Sequence, residues 1–180
     1  MEMSAEGQQS SETGSGKSAH HRIRLKGPWG ARWLGAAEGT APWAPAAGSA
    51  DADEQPEQAP ERRVQMPASW REVFGNIAGR ARFTRRFHCP TGLGPGDQVF
   101  VVLDGFDGCG ALRVDETTAG PLDSTAGRVA AIEITRLLSP ACRLVVELEL
   151  AEPPDDEHPG GLWGAVYLEI REGSGGPPAG

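Results

Sequence analysis

The sequence predicts an all-β protein, an antiparallel β-sandwich of the jelly-roll type with about eight strands. Short runs of alternating apolar residues recur along the chain, and this pattern is typical of strands that bury one face. Clusters of glycine or proline separate nearly all of these runs, and the 180 residues include 25 glycines and 15 prolines. Short strands punctuated in this way indicate a sandwich.

Each strand is predicted from its own apolar residues. The first lies in an alternating segment, 22–34, that is anchored by Ile23, Leu25, Trp29 and Trp33. The later strands are predicted at 79–88, 98–104, 112–114, 130–134, 144–150 and 166–170. The run 98–104 is nearly all apolar, which predicts a strand buried on both faces. Only 69–74 and 135–138 predict short helical turns.

Composition divides the chain into one domain and three low-complexity segments. Residues 1–21 are polar and are predicted to form a disordered tail, and 173–180 form a second tail rich in glycine and proline. The sandwich domain is predicted at 22–172. Within it, residues 35–61 hold six acidic residues and no lysine or arginine, which predicts a disordered acidic insert.

Charge and cysteine usage exclude several classes of function. The net charge of −8 argues against nucleic acid as a partner. The longest apolar run, 99–103, is far too short to span a membrane, and the polar first twenty residues predict no secretory signal. Three cysteines without CxxC spacing predict free thiols in a reducing compartment, which makes a cytoplasmic location the expectation.

Six motifs in chain order resemble the N-terminal sugar-binding domain of family 2 glycoside hydrolases, a jelly-roll of the galactose-binding type. They lie at 66–70, 79–87, 103–107, 112–116, 132–146 and 160–164. The second is similar to the family's aromatic-Arg-Arg-aromatic strand, and the last, Gly-Gly-Leu-Trp-Gly, is similar to its Gly-Gly-Ile-Trp loop. The resemblance implies a non-catalytic module that binds a saccharide, with no cofactor and no metal.

Two departures from the family pattern bear on function. The family's Asn-Gly hairpin turn is here Asp115-Glu116, and since both central residues of a type I′ turn need positive φ, the turn is expected to differ. The family's catalytic carboxylates lie on a separate barrel, and a chain of 180 residues cannot also supply a barrel of about 250 residues. The sequence therefore predicts no catalytic residue and no enzyme.

The predicted saccharide contacts are Asp115 and Trp163. Trp163 can stack on a sugar ring, or it can serve as a structural plug at one end of the sandwich. The alternative function is a structural or interaction module that has lost sugar binding and docks a protein partner, such as a separately encoded glycosidase barrel.

Other clusters of polar residues receive simpler interpretations. Asp104 and Asp107 are expected to serve turn geometry. The acidic run 155–157 is expected to be solvated, although calcium is an alternative, and the pair His20-His21 lacks a second pair of metal ligands. A ridge of three arginines, Arg80, Arg82 and Arg86, is expected to pair with glutamates. The candidate partners are Glu147, Glu149 and Glu169.

Overall fold

The computed structural model describes residues 20–37, 60–125 and 127–173, which form two antiparallel sheets. The four-stranded sheet contains β1 (His20–Arg24), β5 (Gln98–Asp104), β8 (Val129–Glu133) and β10 (Ala165–Arg171), in the order β1-β10-β5-β8. The six-stranded sheet contains β2 (Pro28–Gly35), β3 (Arg62–Gln65), β4 (Gly79–His88), β6 (Cys109–Val114), β7 (Thr117–Asp123) and β9 (Ala141–Leu150). Its order is β3-β2-β4-β9-β6-β7. The predicted β-sandwich is confirmed.

Alternation along the strands builds the core between the sheets. In β9 the even-numbered residues from Leu144 to Leu150 are buried, and they lie beside buried side chains of β4 and β6 on the same face of the sheet. In β5 the consecutive residues Val101, Val102 and Leu103 are all buried, as the continuous apolar run predicts. Because the apolar period of two fixes which face points inward, it also fixes which polar side chains point outward.

An aromatic cluster closes one end of the sandwich. The short helix α1 (Trp70–Phe74) begins at a capping box in which Ser69 and Glu72 bond each other's backbone N–H. The hydrogen bond from the Ser69 backbone lowers the pKa of Glu72. Trp70 is fully buried, packs edge-on against Trp33 with ring centroids 5.8 Å apart, and donates from Nε1 to the Ile77 carbonyl at 2.9 Å.

The described residues contain ten strands rather than about eight. The segment predicted at 22–34 is two strands, because the chain turns at Gly27 with φ +95°. Strands β3 and β7 are edge strands without an alternating apolar pattern. β3 packs only Val64 on the core, and β7 packs Ala119 and Leu122, which are three residues apart. Both predicted helical turns are present, the second as a 3-10 turn at Thr135–Leu137.

The predicted low-complexity segments fall largely on residues 1–19, 38–59 and 174–180, which lie outside the described residues. Strand β1 begins at His20, two residues before the predicted start of the domain. All three cysteines are free, as predicted. Within the described ranges, no helix is both long and apolar enough to cross a bilayer.

Candidate functional site

The end of the sandwich that carries Trp163 is built from the β5–β6 turn, the β9–β10 connection and α1. Asp107 forms an isolated antiparallel bridge with Gly161, whose carbonyl accepts from the Asp107 backbone N–H at 3.0 Å. Gly160 has φ +72°, and a Cβ there would lie 2.8 Å from the Cβ of Trp70. Glycine is therefore required where this connection crosses α1.

The Asp107 side chain connects the β9–β10 connection to Arg128 at this end of the sandwich. Its side chain is almost fully buried, and it accepts a hydrogen bond from the Gly160 backbone N–H at 3.1 Å. Its other oxygen lies 3.0 Å from Nε of Arg128, which also donates to the Glu157 carbonyl at 3.0 Å. The prediction that Asp104 and Asp107 serve turn geometry through bonds from side chain to backbone is confirmed for Asp107, whereas the Asp104 side chain has no such bond among the described residues. No sequence pattern points to Arg128, because its partners Asp107 and Glu157 are distant along the chain.

Trp163 packs across the β5–β6 turn. A Cβ added to Gly105, which has φ +122°, would lie 2.7 Å from Cζ3 of the indole. Gly164 donates from its backbone to the Gly105 carbonyl at 2.8 Å, which joins the Trp163 loop to the β5–β6 turn. The indole Nε1 is buried and has no hydrogen-bond partner, while the residue as a whole is half-buried. This packing supports the plug interpretation and leaves part of the ring surface exposed.

A cleft of about 710 Å³ opens at the same end. Its apolar surface comes from Leu150, Pro153 and Pro154. Its polar groups come from Ser124, Cys109, His158 and four acidic residues. The acidic residues are Asp107, Glu149, Glu152 and Asp155. Trp163 is not among the residues that line the cleft. The cleft therefore offers carboxylate and hydroxyl groups over an apolar floor, without an aromatic platform.

The wall of the cleft at 155–158 is held by one carboxylate. Asp155 Oδ1 accepts from the backbone N–H groups of Glu157 at 2.9 Å and His158 at 2.6 Å. The bond from the His158 backbone is the main reason that the pKa of Asp155 is lowered. Among the described residues, no group of three or more histidine, cysteine or acidic side chains is arranged to hold a metal ion.

Asp115 lies at the opposite end of the sandwich. It is the first of two residues that join β6 to β7, and it has φ +52°, whereas Glu116 does not have positive φ. The turn is therefore not type I′, as expected from Asp-Glu in place of Asn-Gly. The Asp115 side chain accepts from the backbone N–H of Arg143 at 2.9 Å, so the carboxylate already has a structural partner.

The structure does not bring Asp115 and Trp163 together. Strand β6 runs from the Trp163 end to the Asp115 end, and at about 3.4 Å per residue it separates them by about 17 Å. One sugar ring cannot contact both. Each residue remains a prediction on its own, and together they do not form one site.

The prediction that the arginine ridge of β4 pairs with glutamates is confirmed for Arg82 and is wrong for Arg86, which lies opposite Arg143 and has no ion pair among the described residues. Arg82 Nε lies 2.8 Å from Glu147, and Arg80 lies opposite Glu149 in the β4–β9 register. The expectation for Glu169 is wrong, because β10 belongs to the other sheet. Glu169 instead binds Arg171 at 2.8 Å and Arg22 at 2.7 Å. These hydrogen bonds, led by that from Arg171, lower its pKa although burial opposes the shift.

Comparison with known proteins identifies the fold. No protein-family model and no curated protein matches the chain. Solved structures do match, among them an FMN-binding β-glucuronidase from Faecalibacterium prausnitzii L2-6, with a TM-score of 0.62 and 18% identity over 87% of this chain. A Bifidobacterium dentium β-glucuronidase complexed with coumarin-3-O-glucuronide matches with a TM-score of 0.60 and 16% identity over 87% of this chain.

The chain has the fold of the N-terminal domain of family 2 glycoside hydrolases. A β-glucuronidase from an uncultured Clostridium species gives the same result, with a TM-score of 0.60, 13% identity and 88% of this chain covered. This chain spans only 23%, 31% and 30% of the three enzymes, respectively. The match therefore covers a small domain like the family's non-catalytic one and does not extend over the catalytic barrel.

Proposed function

We propose that this protein is a non-catalytic carbohydrate-binding module that takes a saccharide in the cleft at the Trp163 end. The observation that carries the proposal is the cleft itself, where Glu152 and Ser124 stand beside Leu150 and Pro153. Sugars present hydroxyl groups around apolar C–H faces, and a mixture of carboxylate, hydroxyl and apolar surface is complementary to both. A volume of about 710 Å³ lies in the range of small-ligand sites.

The fold supports the proposal only by analogy, since one fold hosts many functions. The similar enzymes are named as β-glucuronidases, and the module corresponds to less than a third of the length of each. Asp115 contributes nothing to this cleft. Trp163 contributes by packing against the β5–β6 turn that borders the cleft.

A thermal-shift screen with titration tests the proposal. The panel is galactose, glucose, mannose, glucuronate and neutral oligosaccharides at tens of millimolar. A ligand with a Kd of 1 mM, present at 50 mM, stabilises the folded state by about 2.3 kcal/mol, which raises Tm by several degrees in a domain of this size. Glu152 is exposed and has no partner among the described residues, so Glu152→Gln is expected to weaken binding without loss of stability.

The matched control is Asp115→Asn at the far end, where asparagine keeps the side-chain oxygen that accepts from Arg143. Binding that is lost in Glu152→Gln and kept in Asp115→Asn supports the cleft. A cooperative melt with no shift across the panel refutes the saccharide proposal.

A second function, docking of a separately encoded catalytic domain, is favoured by one observation. Val129 is 62% exposed, the only large apolar side chain among the described residues that is so exposed. It lies opposite Asp104 in the β5–β8 register, next to the turn that Trp163 covers. Size-exclusion chromatography with a family 2 barrel that lacks its first domain tests this function, and Val129→Asp is expected to abolish the complex.

A further inference from the structure

A second cavity, the arginine groove, lies on the outer face of the six-stranded sheet. Its volume is about 530 Å³. Gly30 of β2 pairs with Arg63 on one side and with Thr84 on the other, so short side chains form the floor beside much longer ones. The lining residues are Pro28, Trp29, Gly30, Glu61, Arg63, Thr84, Arg85, Arg86 and Arg143.

The arginine groove concentrates positive charge in a protein of net charge −8. Four arginines line it against a single carboxylate, that of Glu61. Arg86 and Arg143 lie directly opposite each other in the β4–β9 register. Like charges at opposed positions of a sheet destabilise it, and an anion bound between them would remove that repulsion.

Several of these guanidinium groups have hydrogen-bonding capacity to spare. Arg143 reaches Glu116 at 3.3 Å, and Arg85 donates to the Pro28 carbonyl at 2.9 Å while its Nε is buried without a partner. Within the described part of the chain, Arg63 and Arg86 have neither an ion pair nor a side-chain hydrogen bond. The arginine groove therefore presents donors that no carboxylate of the described residues satisfies.

We propose that the arginine groove binds an acidic saccharide, with uronate carboxylates held by Arg86 and its neighbours. This inference rests on the proposed carbohydrate-binding function and adds a ligand class and a second site. Guanidinium forks match carboxylates in geometry and charge, and the Thr84 hydroxyl and the strand backbone can bind sugar hydroxyls. Trp29 is fully buried, so no aromatic face is open for base stacking, which argues against a nucleic acid ligand.

Glu61 marks where a ligand carboxylate would sit. Its carboxylate lies against Gly30, and its Oε1 is 3.5 Å from Thr84 Oγ1. This carboxylate lies on the floor of the arginine groove beside Gly30 and Thr84, so its negative charge opposes an incoming anion. Removal of its charge is therefore expected to tighten binding, the opposite of what loss of an arginine does.

Isothermal titration of the full chain with tri-galacturonate, at low ionic strength, tests the inference, with maltotriose as the neutral counterpart. Tri-galacturonate is expected to bind and maltotriose not to compete. Arg86→Gln is expected to weaken binding about tenfold, the worth of one charge-assisted hydrogen bond, and Glu61→Gln to strengthen it about threefold. The matched control is Arg136→Gln, which removes an exposed arginine on the 3-10 turn.

Three outcomes would overturn the inference. One is absence of binding, and another is an equal loss in Arg136→Gln and Arg86→Gln, which would indicate attraction to net charge alone. The third is tri-galacturonate binding that appears only when the five acidic residues at 38–59 are changed to amides. That result would indicate that the chain's own acidic segment is the ligand of the arginine groove. Arg63→Gln provides a second groove variant if Arg86→Gln fails to fold. Neutral-sugar binding that depends on Glu152 would leave the proposed function standing whichever of these occurred.

Discussion

Replacement of Asp107 by alanine is expected to destabilise the sandwich by about 2–4 kcal/mol. The variant leaves the buried Gly160 N–H without an acceptor, which costs about 1–3 kcal/mol. It also removes the partner of Arg128. Since the Arg128 side chain is 38% exposed, water can rehydrate it, and the loss stays below the roughly 3–5 kcal/mol of a fully buried pair. At about 2–4 °C per kcal/mol, Tm is expected to fall by about 4–16 °C.

Two further variants separate the hydrogen bond from the charge. Asp107→Asn keeps an oxygen that accepts from Gly160 but removes the charge that faces Arg128, so we expect an intermediate loss of about 1–2 kcal/mol. Asp104→Asn is the matched control three residues away. Asp104 is exposed and has no side-chain partner among the described residues, so the change is expected to stay within about 0.5 kcal/mol.

Urea unfolding followed by tryptophan fluorescence measures all three variants, and a circular-dichroism melt provides an independent Tm. The predicted order of stability is Asp104→Asn, then Asp107→Asn, then Asp107→Ala. If Asp107→Ala and Asp104→Asn unfold at the same urea concentration, the idea that Asp107 holds this end of the sandwich is refuted.

Three other predictions concern single side chains. The pKa of Glu169 is lowered in the folded protein, so its ionised form stabilises the fold at pH values above the unfolded pKa near 4.5. This stabilisation is lost as the pH falls from there through the folded pKa. Glu169→Gln should therefore lose less stability than the wild type between about pH 5 and pH 3, as measured by urea unfolding. Burial, and then the charge of Asp123, raise the pKa of Cys109, so iodoacetamide should label it more slowly than free cysteine at pH 8, and Asp123→Asn should speed the labelling. Asp115→Ala should cost about 1–2 kcal/mol in urea unfolding, because it loses the bond to Arg143 and places alanine at positive φ, whereas Asp115→Asn should be nearly neutral.

Prediction from sequence succeeded where apolar alternation reports burial directly. Strands β4 and β5 have the predicted boundaries, 79–88 and 98–104, because each places a full set of side chains against the core. The edge strands β3 and β7 were missed for the same reason. An edge strand with only one or two core side chains shows no alternation to detect, and backbone pairing, which the sequence does not display, keeps it in the sheet.

The candidate sites were harder to predict because they depend on contacts that are distant along the chain. Arg128 lies 21 positions after Asp107 in the sequence, and no local pattern links the two. The arginine groove likewise takes its residues from four strands, β2, β3, β4 and β9. The run of arginines in β4 indicated a basic ridge, but the missing side chain at Gly30 that turns the ridge into a cavity becomes apparent only in the strand register.

The separation of Asp115 from Trp163 follows from the antiparallel topology. Successive turns of an antiparallel sandwich alternate between its two ends when each strand crosses the full length of the sheet. The β5–β6 and β9–β10 connections meet at one end, as the bridge between Asp107 and Gly161 shows, whereas the β6–β7 turn lies one strand length away. Two residues that both lie in turns are at the same end of the sandwich, and can share a ligand, only if an even number of such strands lies between them along the chain. In this chain that condition admits the residues around Trp163, Asp107, Ser124 and Glu152 and excludes Asp115, so a saccharide site at the Trp163 end has to be sought in the β5–β6, β7–β8 and β9–β10 connections.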